Sequence, residues 1–377
     1  MIEQKKAKSV GIGLVGSGFM GRCHANAFRS VAGLFDLALE PSLNVLADAN
    51  DELAAVAAQS LGFSRGTGDW RCLVADDTVD IVAITAPNQL HAPIANAAIA
   101  AGKTVYCEKP LSSTVASALE MTEAAEHAGV ITLVGFNFLR NPMIKFAREI
   151  IKNGEIGEVT GFRGRHAENY MSDPDIPHSF RTDPQGGGAL ADIGSHIISM
   201  ARYLIGPIVE VQAECRTIHT RRPIEAGSSQ RSFVKVDDMT HALVRFKNGV
   251  SGSLEANWAA TARTMDLSWE ISGTKGALAF TQERMNELQL WSSIKGRSGY
   301  TKVEAGPAHS PYGAFCPAPG HHLGFNDLKV IEVAELLEAH AGVLPAVLVF
   351  VRPMKSNALL RQCSVHILNE SGLSCEL

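Results

Sequence analysis

The chain is predicted to be an α/β protein of two domains, with a doubly wound parallel sheet over residues 1–136 and a strand-rich domain over residues 137–342. Three observations lead to this prediction. The 377 residues exceed what one hydrophobic core usually organises. Short apolar runs alternate with helical patterns up to residue 136, which is typical of repeated strand-helix-strand units. Beyond that point strands dominate and helices become rare.

Short apolar runs mark the strands of the first domain. They are Val10 to Val15, Leu43 to Asp48, Val79 to Thr85, Thr104 to Cys107 and Ile131 to Val134. The stretches between them are rich in Ala and Leu and begin with small or acidic residues, which favours helices. These predicted helices are Glu52 to Ser60, Ala92 to Ala101 and Ala116 to Ala128.

The second domain begins with a predicted helix from about Pro142 to Lys152. Strands follow from Glu158 to Ala167 and across Ile208 to Val303, with one further helix from about Ala189 to Leu204. The long strands alternate poorly, which predicts a large sheet covered on one face and paired with another subunit on the other. A homodimer or homotetramer formed through this sheet is therefore expected.

Composition excludes several classes of function. The net charge is −5 and no long basic run occurs, so no nucleic-acid partner is expected. No apolar run approaches the ~20 residues of a membrane span, and the glycines near the N-terminus interrupt any signal-peptide core. The seven cysteines are far apart, without a C-x-x-C pair or zinc spacing. We expect a cytoplasmic protein with reduced thiols and no metal.

The segment Gly16-Ser-Gly18-Phe-Met-Gly21 joins the first strand to a helix-compatible stretch. Glycines at this spacing allow a tight turn, close approach of the backbone to a pyrophosphate, and close packing of helix on strand. A glycine-rich turn alone is common in loops without ligands, but this position in a βαβ unit favours a Rossmann fold. The predicted cofactor contacts are Gly16, Gly18, Phe19, Met20 and Gly21.

Asp48 ends the second strand, where a carboxylate accepts hydrogen bonds from both ribose hydroxyls of the adenosine half. It would repel the 2′-phosphate of NADP, and only Ala49 and Asn50 follow it. NAD is therefore the predicted cofactor. The alternative is an Asp that merely ends a strand.

Two motifs follow later strands at the carboxyl edge, where open α/β sheets bind ligands. Thr85-Ala-Pro87-Asn88-Gln-Leu-His91 offers cofactor contacts, although Asn88 could be a helix cap and His91 a first-turn helix residue. In Glu108-Lys109-Pro110, the Lys109 ammonium could stabilise a developing alkoxide or hold a carbonyl oxygen near the nicotinamide. The alternative is a solvated Lys paired with Glu108.

A second pair of chemical groups follows the glycines at 186–188. Asp192 and His196 are four residues apart on a predicted helix, so their side chains share one face. Imidazole titrates near neutrality and suits proton transfer with a substrate hydroxyl, while the Asp can orient it. A structural pair or a metal site are alternatives, but no third ligand at short spacing supports a metal.

In chain order the motifs are Gly16-x-Gly18-x-x-Gly21, Thr85-x-Pro87-Asn88-x-x-His91, Glu108-Lys109-Pro110, Gly135-Phe-Asn137 and Gly187-Gly188-x-Leu190-x-Asp192-x-Gly194-x-His196. This succession resembles the glucose-fructose oxidoreductase, inositol dehydrogenase and MocA-like family as far as about Ala341. Stretches at 273–280 and 306–313 are similar to those of its levoglucosan dehydrogenases, which suggests a carbohydrate ring as substrate.

The resemblance implies a Rossmann domain, a second α+β domain with a large, mostly antiparallel open sheet, and oxidation of a secondary alcohol on a sugar or polyol. Lys109, Asp192 and His196 match the catalytic trio. His196 would accept the proton, Lys109 would stabilise the oxygen and Asp192 would orient. Cofactor contacts would extend to Thr85, Asn88, His91 and Glu108. A reductase of another carbonyl and a non-catalytic NAD-binding regulator are the competing functions.

The chain departs from the family pattern at two places. Leu139 stands where many members carry an Arg, which puts a substrate or interdomain contact in doubt. From about Val343 the resemblance ends, and residues 343–377 form an atypical tail. In a shifted frame, residues 351–360 permit the run Ala-Tyr-Glu-Ile-Glu-Arg-Val-Val, which resembles the family's final helix. We interpret the tail as the product of a frameshift, which DNA sequencing across residues 341–360 would test.

Overall fold

The computed structural model describes residues 7–294 and 297–343. The described residues form two compact units, one of residues 7–140 with 324–343 and one of residues 141–323. The predicted frameshifted tail lies outside the described residues apart from its first position. No helix among the described residues is long and apolar enough to cross a membrane.

The first unit is built on a parallel sheet. Its strands are β1 (Lys8–Val15), β2 (Leu39–Ala47), β3 (Arg65–Thr67), β4 (Ile81–Ile84), β5 (Thr104–Glu108) and β6 (Thr132–Gly135). Their order is β3-β2-β1-β4-β5-β6, with every neighbouring pair parallel. This order is that of a doubly wound dinucleotide-binding sheet, in which ligands bind outside the carboxyl ends of the strands. The predicted Rossmann architecture is confirmed.

Helices join these strands and cover the sheet. They are α1 (Phe19–Leu34), α2 (Asp51–Leu61), α3 (Trp70–Val74), α4 (His91–Ala100) and α5 (Val115–Ala128). Strands β4 and β5 are buried along their whole length because helices lie on both faces. All five predicted strands and all three predicted helices are present within a few residues. The short strand β3 was not predicted.

The second unit contains a mixed sheet of eight strands. In chain order its strands, with a separate hairpin formed by β9 and β10, are β7 (Val159–Ala167), β8 (Ile208–Arg216), β9 (Arg221–Pro223), β10 (Arg231–Phe233), β11 (Met239–Phe246), β12 (Ser251–Asn257), β13 (Asp266–Gly273), β14 (Gly276–Thr281), β15 (Glu287–Ile294) and β16 (Arg297–Glu304). The sheet order is β16-β15-β14-β13-β7-β12-β11-β8. Neighbours are antiparallel except β7 and β12. The predicted mostly antiparallel sheet is confirmed.

One face of this sheet is covered by helices. These are α6 (Pro142–Lys152), which contacts β15, and α7 (Ser195–Leu204), which contacts β7, β12 and β13. The sequence predicts poor alternation in these strands, but along β8 and β11 buried and more exposed residues alternate with a period of two. Each strand therefore presents one face to the core and one away from it. The other face lines a wide depression of 1290 Å³.

The predicted helix from Ala189 to Leu204 is present, but its first turn is not α-helical. Residues Leu190–Gly194 form a π-helical turn, and α7 begins only at Ser195. Gly188 precedes this turn with φ of +106°, and Leu190 N donates to the carboxylate of Asp237 at 2.9 Å. The side-chain cap and the glycine fix the start of the segment that carries Asp192 and His196. Wide π turns of this kind often occur at functional sites.

A further helix, α8 (Phe325–His340), belongs to the first unit. The sequence boundary at residue 342 had placed it in the second domain. It packs against α1 and the short helix Asn137–Arg140 and buries residues on every side, including the charged Lys329 and Glu332. The units defined by contacts therefore differ from the domains predicted along the chain, because α8 packs beside α1 and β5 of the first unit.

Candidate active site

The glycine loop has the geometry that a dinucleotide requires. Gly16 has φ of +97°, and a side chain at Gly21 would collide with the Gly16 carbonyl, so both positions need glycine. A Cβ built on Gly18 meets no atom within 4 Å, which leaves the backbone open to a ligand. No side chain caps the start of α1 and no acidic residue lies in its first turn. The uncapped helix end therefore suits an anion such as pyrophosphate.

Two predicted contacts flank this loop. Phe19 is 67% exposed, and its ring stacks on Phe325 of α8 with centroids 5.8 Å apart. Met20 is half-buried. The loop itself is held by Thr85. Its hydroxyl Oγ1 lies 3.0 Å from Val15 O and 2.8 Å from Gly16 O and can donate a hydrogen bond to either carbonyl. Thr85 thus supports the turn that would receive the cofactor.

Asp48 lies directly after β2, beside the glycine loop. Its Oδ2 accepts from Ser17 N at 2.9 Å and Ser17 Oγ at 2.5 Å, and its Oδ1 accepts from Ala49 N at 2.7 Å. A carboxylate has about four acceptor positions and three are used here, so one position remains for a ribose hydroxyl. These residues fit the adenosine half of NAD, and Ser17 is a positioning partner that the sequence motif did not identify.

His91 is buried at the start of α4. Its Nδ1 lies 2.8 Å from Pro110 O and its Nε2 lies 2.9 Å from Ala86 O, so the ring bridges the two turns that follow β4 and β5. Burial lowers the pKa of this imidazole. Asn88 begins the short helix Asn88–Leu90 just before it. The ring of His91 therefore supports the Lys109-Pro110 turn, and direct contact of His91 and Asn88 with NAD stays a prediction.

Lys109 follows the last residue of β5, at the carboxyl edge of the sheet, and its bond to Pro110 is cis. Glu108 is buried and accepts from Lys329 Nζ at 2.7 Å and from His24 Nε2 at 2.8 Å. Burial alone would raise the pKa of Glu108, but the Lys329 ammonium and the His24 hydrogen bond hold it well below its usual range. The carboxylate is therefore ionised within a buried cluster, and Lys329 was not foreseen as its partner.

Asp192 and His196 lie one turn apart in the second unit, and Lys109 lies in the first. The Asp192 Oδ2 accepts from Tyr170 Oη at 2.8 Å and from Arg181 Nε at 3.1 Å. Both partners come from the loop between β7 and the π-helical turn. Burial, and then the Asp192 charge, raise the pKa of Tyr170, so its hydroxyl keeps its proton and acts as a donor.

His196 is buried against a second histidine. The ring of His166 meets it edge-on, with centroids 5.5 Å apart. His166 Nε2 lies 2.8 Å from Glu168 Oε1 and its Nδ1 lies 2.9 Å from Ile193 O. These contacts fix one wall of the His196 site. Sequence reasoning missed His166 and Glu168, although His166 lies near the end of a predicted strand and Glu168 follows that strand directly.

Within residues 7–294 and 297–343, no group of three or more His, Cys, Asp or Glu side chains is placed to hold a metal ion. The donors around Asp192 are instead a phenol and a guanidinium. Such an arrangement suits a hydrogen-bonded site rather than metal coordination.

Known proteins share this architecture. The model of an oxidoreductase family with an NAD-binding Rossmann fold matches residues 10–136, and that of the GFO/IDH/MocA C-terminal domain matches residues 144–279. Levoglucosan dehydrogenase of Pseudarthrobacter phenanthrenivorans is 38% identical over 351 residues, covering 89% of this chain and 90% of that protein.

Solved structures agree with these matches. A levoglucosan dehydrogenase in complex with NADH and levoglucosan superposes with a TM-score of 0.86 at 38% identity, over 89% of this chain and 91% of the other. An NAD-binding oxidoreductase from Klebsiella pneumoniae gives a TM-score of 0.83 at 42% identity, over 88% and 89%. The chain therefore belongs to the GFO/IDH/MocA family of oxidoreductases, whose N-terminal domain is an NAD-binding Rossmann fold.

Proposed function

We propose that this protein is an NAD-dependent dehydrogenase that oxidises a secondary hydroxyl of a sugar, anhydrosugar or cyclic polyol to a ketone. The observation that carries the proposal is Lys109 at the carboxyl end of β5, on the sheet edge that also bears the glycine loop. Relatives 37 to 38% identical carry names or bound molecules of the same class, levoglucosan and L-sorbose.

When bound, NAD would supply the hydride acceptor. In the proposed reaction His196 accepts the hydroxyl proton, because a neutral imidazole nitrogen can act as a general base. The Lys109 ammonium binds the same oxygen and stabilises the charge that develops there. Asp192 orients His196, and Tyr170 and Arg181 hold the Asp192 carboxylate in place.

A panel of substrates tests the reaction. Levoglucosan, myo-inositol, aldoses and other polyols are supplied with NAD or NADP, and NADH or NADPH formation is followed by absorbance. We expect turnover with at least one ring bearing secondary hydroxyls. Activity only with carbonyl compounds and NADH would favour a reductase. A blank panel together with tight NADH binding would favour the non-catalytic regulator.

Cofactor choice is proposed to depend on Asp48. We expect kcat/KM to be higher with NAD than with NADP, since the carboxylate beside Ser17 repels a 2′-phosphate. Asp48→Ser should narrow the ratio, whereas Glu52→Gln, an exposed acid in α2, should leave it unchanged. Equal values for both cofactors in the wild type would contradict the assignment.

The open face of the second sheet is proposed to pair with a second copy of the chain, in a cytoplasmic dimer or tetramer. The depression on this face is lined by Leu243 of β11, a residue that is 62% exposed, and by charged residues of both signs such as Arg163 and Glu270. An exposed apolar side chain bordered by charges of both signs suits a two-fold interface, in which the same patch of each copy meets the other. Light scattering should give an oligomer that Leu243→Glu weakens, and a monomeric wild type would contradict this.

A further inference from the structure

Lys329 is a charged side chain with no exposure to solvent, in the middle of α8. Its Nζ donates to Glu108 Oε1 at 2.7 Å, to Glu332 Oε2 at 2.7 Å and to Tyr106 Oη at 3.0 Å. An ammonium has three protons, so every one of them is used. Burying a charge is costly unless it is paired and hydrogen-bonded, and this site meets both conditions.

The charges are arranged to keep the cluster ionised. Although burial lowers it, the pKa of Lys329 is raised overall by Glu108 and Glu332. Tyr106 Oη donates to Glu332 Oε2 at 2.5 Å and its ring stacks on His24 at 4.3 Å. The cluster thus connects α8 to β5 and α1 across 221 residues of sequence.

The cluster reaches the residue before Lys109. Glu108 ends β5, and its Oε2 accepts from the backbone N of Lys109 at 3.3 Å. A Cβ on Gly135 would lie 2.7 Å from Glu108 Oε1, so the neighbouring strand carries a glycine where the carboxylate sits. On the other side of Lys109, His91 Nδ1 lies 2.8 Å from Pro110 O. Contacts to the residues on either side of Lys109 thus flank its backbone.

We propose that Lys329 is a positioning residue for Lys109. Its ammonium neutralises the Glu108 carboxylate and holds it at the end of β5, so that this carboxylate fixes the Lys109 backbone. The inference rests on the proposed function of Lys109 in binding the substrate oxygen. The competing explanation is that Lys329 only fastens α8 to the first unit.

The test compares Lys329→Met with Lys103→Met. Lys103 directly precedes β5, at the end of the strand opposite to Lys109. The two lysines are about 15 to 20 Å apart along the strand, at ~3.3 Å per residue. The Lys103 ammonium donates to Asp76 O and Val79 O. Both variants lose a lysine with several hydrogen bonds in the same unit. The readouts are kcat per NADH-binding site, the Kd of NADH by fluorescence, and amide hydrogen exchange over residues 104–112.

We expect Lys329→Met to lower kcat by about 10- to 100-fold, the usual cost of a small misplacement near the reacting atoms. The Kd of NADH should stay within about twofold, and exchange should rise at 104–112 but not at the glycine loop. Lys103→Met should keep its kcat. A kcat of Lys329→Met equal to that of Lys103→Met would overturn the proposal, as would exchange that rises evenly across the first unit.

A double variant covers the case in which Lys329→Met does not fold. Removing both charges of the Lys329–Glu108 pair is tolerated better than removing one. Glu332 keeps the Arg140 guanidinium at 3.8 Å and the Tyr106 hydroxyl as partners, so Lys329→Met with Glu108→Gln should fold. If Lys329 acts through Glu108, the double variant should lower kcat no more than Glu108→Gln alone, whereas additive losses would overturn the proposal. Hydrogen exchange and NADH binding need no substrate, so they decide this inference even if the proposed reaction fails.

Discussion

Two buried carboxylates, one in each unit, support the proposed catalytic residues of their own unit by different means. Glu108 supports Lys109 from within a charged cluster, and Lys329 keeps its pKa below the usual range despite burial. Asp237 supports the turn that carries Asp192, with Leu190 N and Thr240 Oγ1 each donating to its Oδ2 at 2.9 Å. Burial raises the pKa of Asp237, because its hydrogen bonds only partly compensate for the loss of water.

The difference shows what each site needs from the rest of the chain. The Glu108 carboxylate, a charge-based anchor, depends on the distant helix α8, which places the Lys329 ammonium beside the end of β5. A hydrogen-bonded anchor is more local, since Asp237 requires a glycine at 188 to avoid a collision and a nearby backbone donor. We therefore expect Glu108 to be sensitive to loss of charge and Asp237 to tolerate it.

The largest effects are expected from the groups that these carboxylates support. His196→Ala should lower kcat by about 10² to 10⁴, the usual contribution of a positioned acid or base. Lys109→Met should lower kcat and kcat/KM together, because the ammonium acts mainly in the transition state. The expected loss of transition-state stabilisation is about 3 to 4 kcal/mol. Steady-state kinetics with the best substrate and NADH titration provide the measurements.

Controls for this pair lie on the surface. His127→Ala, an exposed residue of α5, should leave kcat unchanged. NADH should still bind to both active-site variants, since the loop and Asp48 are intact. If Lys109→Met keeps a near-wild-type kcat, Lys109 has no catalytic role. If His196→Ala raises only KM, His196 binds substrate without transferring a proton.

The second prediction concerns stability and compares two swaps from acid to amide. Glu108→Gln leaves Lys329 buried beside fewer negative charges, and breaking a buried ion pair costs about 3 to 5 kcal/mol. Asp237→Asn keeps an oxygen that can accept from Leu190 N, so it should cost within about 1 kcal/mol. Denaturant unfolding followed by tryptophan fluorescence measures both. Equal losses in the two variants would show that charge does not distinguish the two anchors.

Much of the fold could be predicted because the spacing of apolar residues and the positions of turn-forming residues are local properties of the chain. Apolar runs between helical stretches identified five strands of the first sheet, and the glycine loop identified its doubly wound type. Strand β3 was missed, because Arg65-Gly-Thr67 has no apolar repeat. Helix α8 was not predicted because Lys329 and Glu332 interrupt its apolar residues, and a sequence alone does not distinguish a buried charge from a solvated one.

The sequence offered candidate site residues only where the chemical groups stand within motifs. Lys109, Asp192 and His196 follow glycines or strand ends in recognisable order. Their supports come from elsewhere, since Lys329 lies 221 residues from Glu108 and Asp237 lies 47 residues from Leu190. Such partners are selected by tertiary contact, so no spacing rule identifies them.

A smaller effect is expected at Tyr170, which tests the hydrogen-bonded side of the comparison. Tyr170→Phe removes one hydrogen-bond donor to Asp192, while Arg181 remains. A hydrogen bond to a charged group contributes about 1.5 to 3 kcal/mol. We expect kcat to fall by about 10- to 100-fold, with unchanged NADH binding. Tyr203→Phe, a tyrosine of α7 stacked under Arg148, is the matched control. An unchanged kcat in Tyr170→Phe would mean that Arg181 alone holds Asp192.

The smallest effect is expected in the pH dependence of stability, where the two carboxylates should act with opposite sign. The pKa of Glu108 is lower in the folded protein than its ordinary value of 4.5, so as pH falls the unfolded chain takes up this proton first and stability is lost. The pKa of Asp237 is raised above its ordinary 3.8, so the folded protein takes up that proton first and stability is gained. The midpoint of thermal unfolding between about pH 7 and pH 3 should therefore fall less steeply on acidification in Glu108→Gln and more steeply in Asp237→Asn than in the wild type. Glu120→Gln, an exposed acid of α5, should leave the slope unchanged. Slopes that change in the same direction in both variants would show that Asp237 is also held as a charge, and the distinction between the two anchors would no longer hold.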